Sequence, residues 1–176
     1  MTPQRRTLLI LLAAFLLSGH FIWAETSPKN VVEKYCILDY DGARIGIYPG
    51  LARLISPLAV WRVEPGWDFA VVVSSYAVGD AAYEGNRAIV VVEYSVVGRA
   101  EGNSPVILEA KQEKAEFHLV HSGSDWIVEA INERLLPPHV SVSALIINLE
   151  LVLNQPVGES RRKILLNDVE RLRKVP

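Results

Sequence analysis

Four runs in the middle of the chain limit the fold more than any other feature: FAVVVSSYAV (69–78), AIVVVEYSVV (88–97), VILEAKQEKAEFHLVH (106–121) and WIVEAIN (126–132). β-Branched and aromatic side chains fit a pleated, half-buried surface, and Gly, Asn, Ser and Asp punctuate the gaps between the runs. The stretch reads as a meander of about four strands, with SGSD (122–125) as its tightest turn. Helical signals bracket it. Ser27-Pro28 is an N-cap followed by a proline at the first helical position, and Gly42 is a C-terminal cap, which predicts a helix over residues 28–41. A shorter helix follows Pro49, carries Leu51, Leu54 and Ile55, and ends by Pro57. After Pro137-Pro138, Ser141 or Ser143 can cap ALIINLELVL and Ser160 can cap RRKILLNDVERLRK, with NQPVG between them. Helices, then strands, then helices is an α+β order rather than a βαβ alternation.

The N-terminus has a different character. MTPQRR precedes the apolar stretch TLLILLAAFLLSGHFIWA, and the polar ETSPKN follows Ala24, the order of a secretory signal peptide. Ile22 occupies the position where cleavage favours a small residue, and the stretch is close to the ~18 residues of a membrane span, so an uncleaved N-terminal membrane anchor is the alternative. The reading is a signal peptide over 1–24, an α+β domain over 25–136, and residues 137–176 as a helical extension of that domain. The protein is then expected to be periplasmic or secreted, with a membrane association only if the segment is retained. Loss of Arg5 and Arg6 with the leader takes the formal charge from −2 to −4. A mildly acidic domain without a basic stripe argues against nucleic acid and anionic lipid as partners.

Cys36 is the single cysteine, which excludes an internal disulfide and a zinc site built on thiolates, and it reads as a small buried thiol. The chain has no G-x-S-x-G, no H-E-x-x-H, no phosphate-binding glycine loop and no calcium loop, and no cofactor is expected.

A proline-started helix ending YCILDYDGARI, a short second helix, a Trp-containing loop, and long strands closing with FHLVHSGSDWIVEAI resemble the nuclear transport factor 2-like superfamily, in particular exported bacterial members of unassigned function. The resemblance spans roughly residues 28–132. It implies a strongly curved antiparallel sheet of about four strands wrapped around the first helix, a cone with a pocket at its open end, and C-terminal helices added outside the common core. That superfamily includes isomerases, cyclases, an epoxide hydrolase, dehydratases, and proteins that only bind or dimerise, so it leaves function open. No catalytic constellation carries over onto this chain.

Within such a cone, Trp61 and Trp67, in WRVEPGWD, would either cover the end of the core or line the entrance, with the lid reading preferred. Asp39 lies on the apolar side of the first helix, among Val31, Val32, Tyr35, Cys36 and Leu38. A carboxylate there needs partners, with Arg44, a tyrosine or backbone N–H groups as the prospects; the functional alternative makes it a general base with Tyr35 or His118 as proton partner. Glu93 and Glu129 interrupt apolar strands and point either into the cone or to a covered outer face. Tyr76, Tyr94 and Trp126 complete the pocket candidates. His118 and His121 face opposite sides of one strand, and His139 is expected to be exposed.

Two functions follow. The first is an exported non-catalytic domain that binds a small apolar ligand or a protein partner. The second is an isomerase-like or dehydratase-like enzyme using an acid in the cone. ALIINLELVL is apolar nearly all round, so the C-terminal helices either pack on their own sheet or bridge two copies, and a homodimer is the slight preference.

Overall fold

The computed structural model describes residues 26–60, 68–131 and 137–176. Residues 1–25, and residues 61–67 with Trp61 and Trp67, lie outside these residues. Helix α1 is Pro28–Tyr40 and begins as its sequence requires: Ser27 is extended and its hydroxyl accepts from the Asn30 N–H at 3.2 Å. It ends in a Schellman motif. Gly42 sits at φ +85°, its N–H donates to the Asp39 carbonyl, and the Ala43 N–H donates to the Leu38 carbonyl. Helix α2 (Pro49–Ile55) passes into a 3₁₀ turn, Ser56–Leu58, at the proline that was expected to stop it.

Three long strands follow, β1 (Phe69–Glu84), β2 (Arg87–Glu101) and β3 (Ile107–Ser122), and then the shorter β4 (Asp125–Ile131). Consecutive strands pair antiparallel. Register shifts along β1, between Val72 and Ser75 and between Val78 and Ala81, bend the strand, and the sheet curls strongly into a half-barrel. A fifth strand, β5 (His139–Ser141), was not foreseen. It pairs parallel to β1, with His139 opposite Val71, and makes the sheet mixed, in the order β4-β3-β2-β1-β5. Three residues after a Pro-Pro pair carry no periodicity to read, and their pairing is fixed by a strand some 68 residues away.

Period two divides the sheet into two faces. The concave face presents Val71, Val73, Val90, Val92, Phe117 and Val128 to α1, which fills the curl with Val31, Val32, Tyr35, Cys36 and Leu38. On the convex side, helix α3 (Val142–Leu153) and helix α4 (Glu159–Leu172) cover Ala70, Val72 and Val140 with Leu145, Leu149, Leu165, Val169 and Leu172. The apolar character of α3 is thus met in part within the chain, by the sheet and by α4, while Ile147 and Leu151 stay exposed. Ser141 caps α3 through the Ala144 N–H, whereas α4 starts two residues earlier than predicted, from Gly158, leaving Ser160 inside the helix. Asp168 of α4 is buried and accepts from the Val106 N–H at 3.1 Å, while Arg171 donates to the Val106 carbonyl at 2.9 Å, clamping α4 to the β2–β3 connection.

One glycine is demanded by close approach rather than by φ. A Cβ on Gly98 would lie 2.4 Å from the Ile107 carbonyl oxygen, at the point where the β2–β3 register shifts. Only a residue without a side chain lets the two strands meet there.

Candidate functional site

The concave face changes chemistry along β3. Leu119, Phe117 and Ala115 are buried, but the next residues of the same parity are Glu113, Lys111 and Glu109. A cavity of about 360 Å³ opens there, beyond the end of α1's apolar packing. Phe69, Val71, Val96, Ile107 and Pro137 form its apolar wall, and Arg99, Glu109, Lys111 and Glu113 its polar one. Arg99 pairs with Glu101 and lies over the Phe69 ring, 4.7 Å from its centroid, so this cation is already held in place. Lys111 pairs with Glu113 at 3.1 Å.

His139 neighbours two of the lining residues, Glu113 and Pro137, but does not itself line the cavity. The expectation of an exposed histidine is overturned: its exposure is 1 %, because pairing of β5 with Val71 turns its side chain to the concave face. Its ring lies over Tyr94 with centroids 4.1 Å apart. Nδ1 lies 3.0 Å from the Pro137 carbonyl, which can only accept, so Nδ1 carries the proton in the neutral ring and Nε2 presents a lone pair. Nε2 is buried without a hydrogen-bond partner among the described residues, and Glu113 Oε1 is 4.0 Å away. Both residues flanking the ring, Glu113 and Pro137, line the cavity.

Burial pushes the His139 pKa down from 6.5 to about 4, with Arg44 and Lys111 acting the same way against the Pro137 carbonyl and Glu113. The unfolded chain takes up this proton near pH 6.5 and the folded chain only near pH 4, so the contribution is complete above 6.5 and is lost as the pH falls toward 4. The loss is on the order of 3 kcal/mol. Urea midpoints at pH 7 and pH 4.5 check it: the fall is expected to be smaller in His139→Phe than in the parent, and equal falls would contradict the assignment.

Asp39 is placed where the paired reading put it. Oδ2 accepts from the His139 backbone N–H at 2.9 Å, and the Arg44 guanidinium is 3.7 Å away, with both side chains 2 % exposed. It borders neither hollow of the surface. Tyr35 faces the filled core, edge-on to Phe117 at 5.4 Å. His118 lies on the convex face, 3.7 Å from Glu116. The Asp39–His118 pairing is therefore corrected: the two stand on opposite sides of the sheet.

The remaining candidates divide by face. Tyr94 and Tyr76 belong to the concave wall, where Tyr76 also meets Tyr40 at 5.5 Å. The Tyr94 hydroxyl lies 3.5 Å from Cys36 Sγ; burial raises the tyrosine pKa well above its ordinary value and pushes the thiol up to about 12, so both are neutral. Trp126 is concave but at the other end of the curl, against His121 and Tyr83. Glu93 and Glu129 point out of the cone, paired with Lys114 and with Arg87 respectively, and 56 % and 40 % exposed. Trp61 and Trp67 lie outside the described residues. Sequence reasoning missed Glu113 and His139; the available signal was the switch from apolar to charged at constant parity in β3.

A second hollow, an open apolar groove of about 660 Å³, runs between Tyr48, Leu51 and Leu54 of the α2 region and Ser141, Ala144 and Ile147 at the start of α3. Asp41 at its rim is its one charged side chain. Among the described residues no group of three or more His, Cys, Asp or Glu is placed to hold a metal ion, and no helix is long and apolar enough to cross a membrane.

Comparison with family models, with curated proteins and with solved structures returns no match to this chain. The site's own chemistry is therefore the basis for a functional reading.

Proposed function

We propose that this chain is an exported, non-catalytic binding domain that takes a small, largely apolar ligand at the open end of its curled sheet. The observation carrying the reading is the cavity of about 360 Å³, with apolar walls on one side and polar side chains converging on the other. Pockets that bind small molecules have this composition and start at about 300 Å³. The cone architecture supports the resemblance to nuclear transport factor 2-like proteins, in which the open end is where ligands enter. An acid-base enzyme built on Asp39 is disfavoured, since that carboxylate is committed to Arg44 and to the His139 N–H within a filled core.

Titration with the apolar fluorophore N-phenyl-1-naphthylamine tests the reading. The parent is expected to bind one equivalent saturably. Ile107→Trp, which places an indole at the cavity wall from a half-exposed position, is expected to weaken binding at least about tenfold. Equal affinity in both proteins would move the site elsewhere, and absence of saturable binding to the parent would remove the reading.

A further inference from the structure

We propose that two copies of this chain pair around a two-fold axis through the open apolar groove between α2 and α3, the Ile147–Leu151 ridge of each copy seated in the groove of the other. The inference is independent of the ligand cavity and gives the expected homodimer a surface. Half of the large apolar side chains exposed among the described residues gather here. Tyr48, Leu54 and Ile147 line the groove, Ile37 lies one helical turn before Asp41 of its rim, and Leu151 lies one turn after Ile147. These five are between 36 % and 53 % exposed. Apolar residues scattered singly over a surface are ordinary, whereas a contiguous apolar patch with a polar rim marks an interaction surface.

Shape and charge both select a second copy as the occupant. Ile147 and Leu151 stand four residues apart on α3 and form a ridge of the kind that packs into a groove between helices. That ridge is continuous with one wall of the groove, so ridge and groove adjoin on one patch. A two-fold interface requires this arrangement, because each copy must offer what the other receives. Asp41 at the rim and Arg53, next to Leu54 on α2, are exposed, and neither makes an ion pair among the described residues. Asp41 is also the C-cap of α1, whose last turn holds no basic residue, so the negative end of the helix dipole adds to its carboxylate. A cation arriving from outside is favoured there, and the Arg53 of a second copy supplies one, twice over by symmetry. Exposed pairs of this kind add little affinity but fix orientation. The patch is smaller than the roughly 20–30 residues a side of a standard interface, which places the dimer among weak, reversible ones in the micromolar range.

Sedimentation equilibrium of the parent protein across the micromolar range tests the pairing, and a reversible monomer–dimer equilibrium is expected. Leu151→Lys on the ridge and Leu54→Lys on the opposite wall should each weaken it at least about tenfold. Leu166→Lys, at an equally exposed leucine of α4 outside the groove, should leave it unchanged. Near-ultraviolet circular dichroism checks that the variants keep the parent's packing; should one of the two groove variants lose it, the other carries the comparison. Asp41→Arg and Arg53→Asp should each weaken the dimer, and the double reversal should recover most of the lost affinity, a rescue that only contact between copies gives. A parent that is monomeric throughout, or a dimer indifferent to both groove variants, overturns the proposal. So does a double reversal no stronger than the single variants. A monomeric parent whose saturable binding of N-phenyl-1-naphthylamine is lost in Leu54→Lys and kept in Ile107→Trp overturns it in favour of a small apolar ligand in the groove.

Discussion

Asp39→Ala is expected to cost about 3–5 kcal/mol of stability, the cost of removing one partner from a buried ion pair. The substitution leaves the Arg44 guanidinium, 2 % exposed, without its carboxylate, and the His139 N–H without its acceptor. Both losses fall on one joint, the point where the end of α1 meets β5, so they are not independent and their separate costs do not simply add. Urea unfolding measures the effect. Glu93→Ala, which removes an exposed acid from the convex face, serves as the control and should stay within about 0.5 kcal/mol of the parent. A mutant at Asp39 as stable as the control would show that the joint is not holding the domain together.

A chain ending at Ser141 is expected not to yield a cooperatively folding protein. Removing α3 and α4 strips Leu145, Leu149, Leu165, Val169 and Leu172 from the convex face and leaves Val72 and Val140 uncovered. Fully burying each such side chain is worth about 1.5–3 kcal/mol, so the loss is comparable to the whole stability of an ordinary domain, about 5–15 kcal/mol. The buried Asp168 and its clamp on Val106 disappear as well. Light scattering with near-ultraviolet circular dichroism should find aggregated material lacking fixed aromatic packing. A soluble truncated protein with a sharp unfolding transition would sink the prediction, and a truncated dimer would return the sheet itself to consideration as an interface between copies.

Legibility of the sequence followed the range of the interaction that decides each feature. The cap at Ser27, the Schellman ending at Gly42 and the four central strands are local, and each was readable from a few neighbouring residues. Asp39 was readable as a buried acid needing partners, because its helix supplied the phase. β5 was not, since three residues acquire strand geometry only from the β1 edge. Glu93 and Glu129 were uncertain for a different reason. AIVVVEYSVV is apolar on both faces, so period two separates the faces without saying which is inside. His139 followed β5: with the strand unseen, a histidine after two prolines reads as solvent-exposed loop.

The Asp39–His139 bond closes a loop of 100 residues. Contacts of such sequence separation slow folding, because the entropy of closing the loop is spent before the contact rewards it. During synthesis α1 and the turn after it leave the ribosome carrying Asp39 and Arg44, long before the backbone group that Asp39 serves has been made. An intermediate comprising α1 and the antiparallel strands therefore holds a polar joint still open to water, and the edge of β1 stays unpaired until β5 arrives. Docking of β5 is thus the step at which the domain becomes dry at that corner, and substitutions in HVS should slow the last phase of refolding more than substitutions in the SGSD turn.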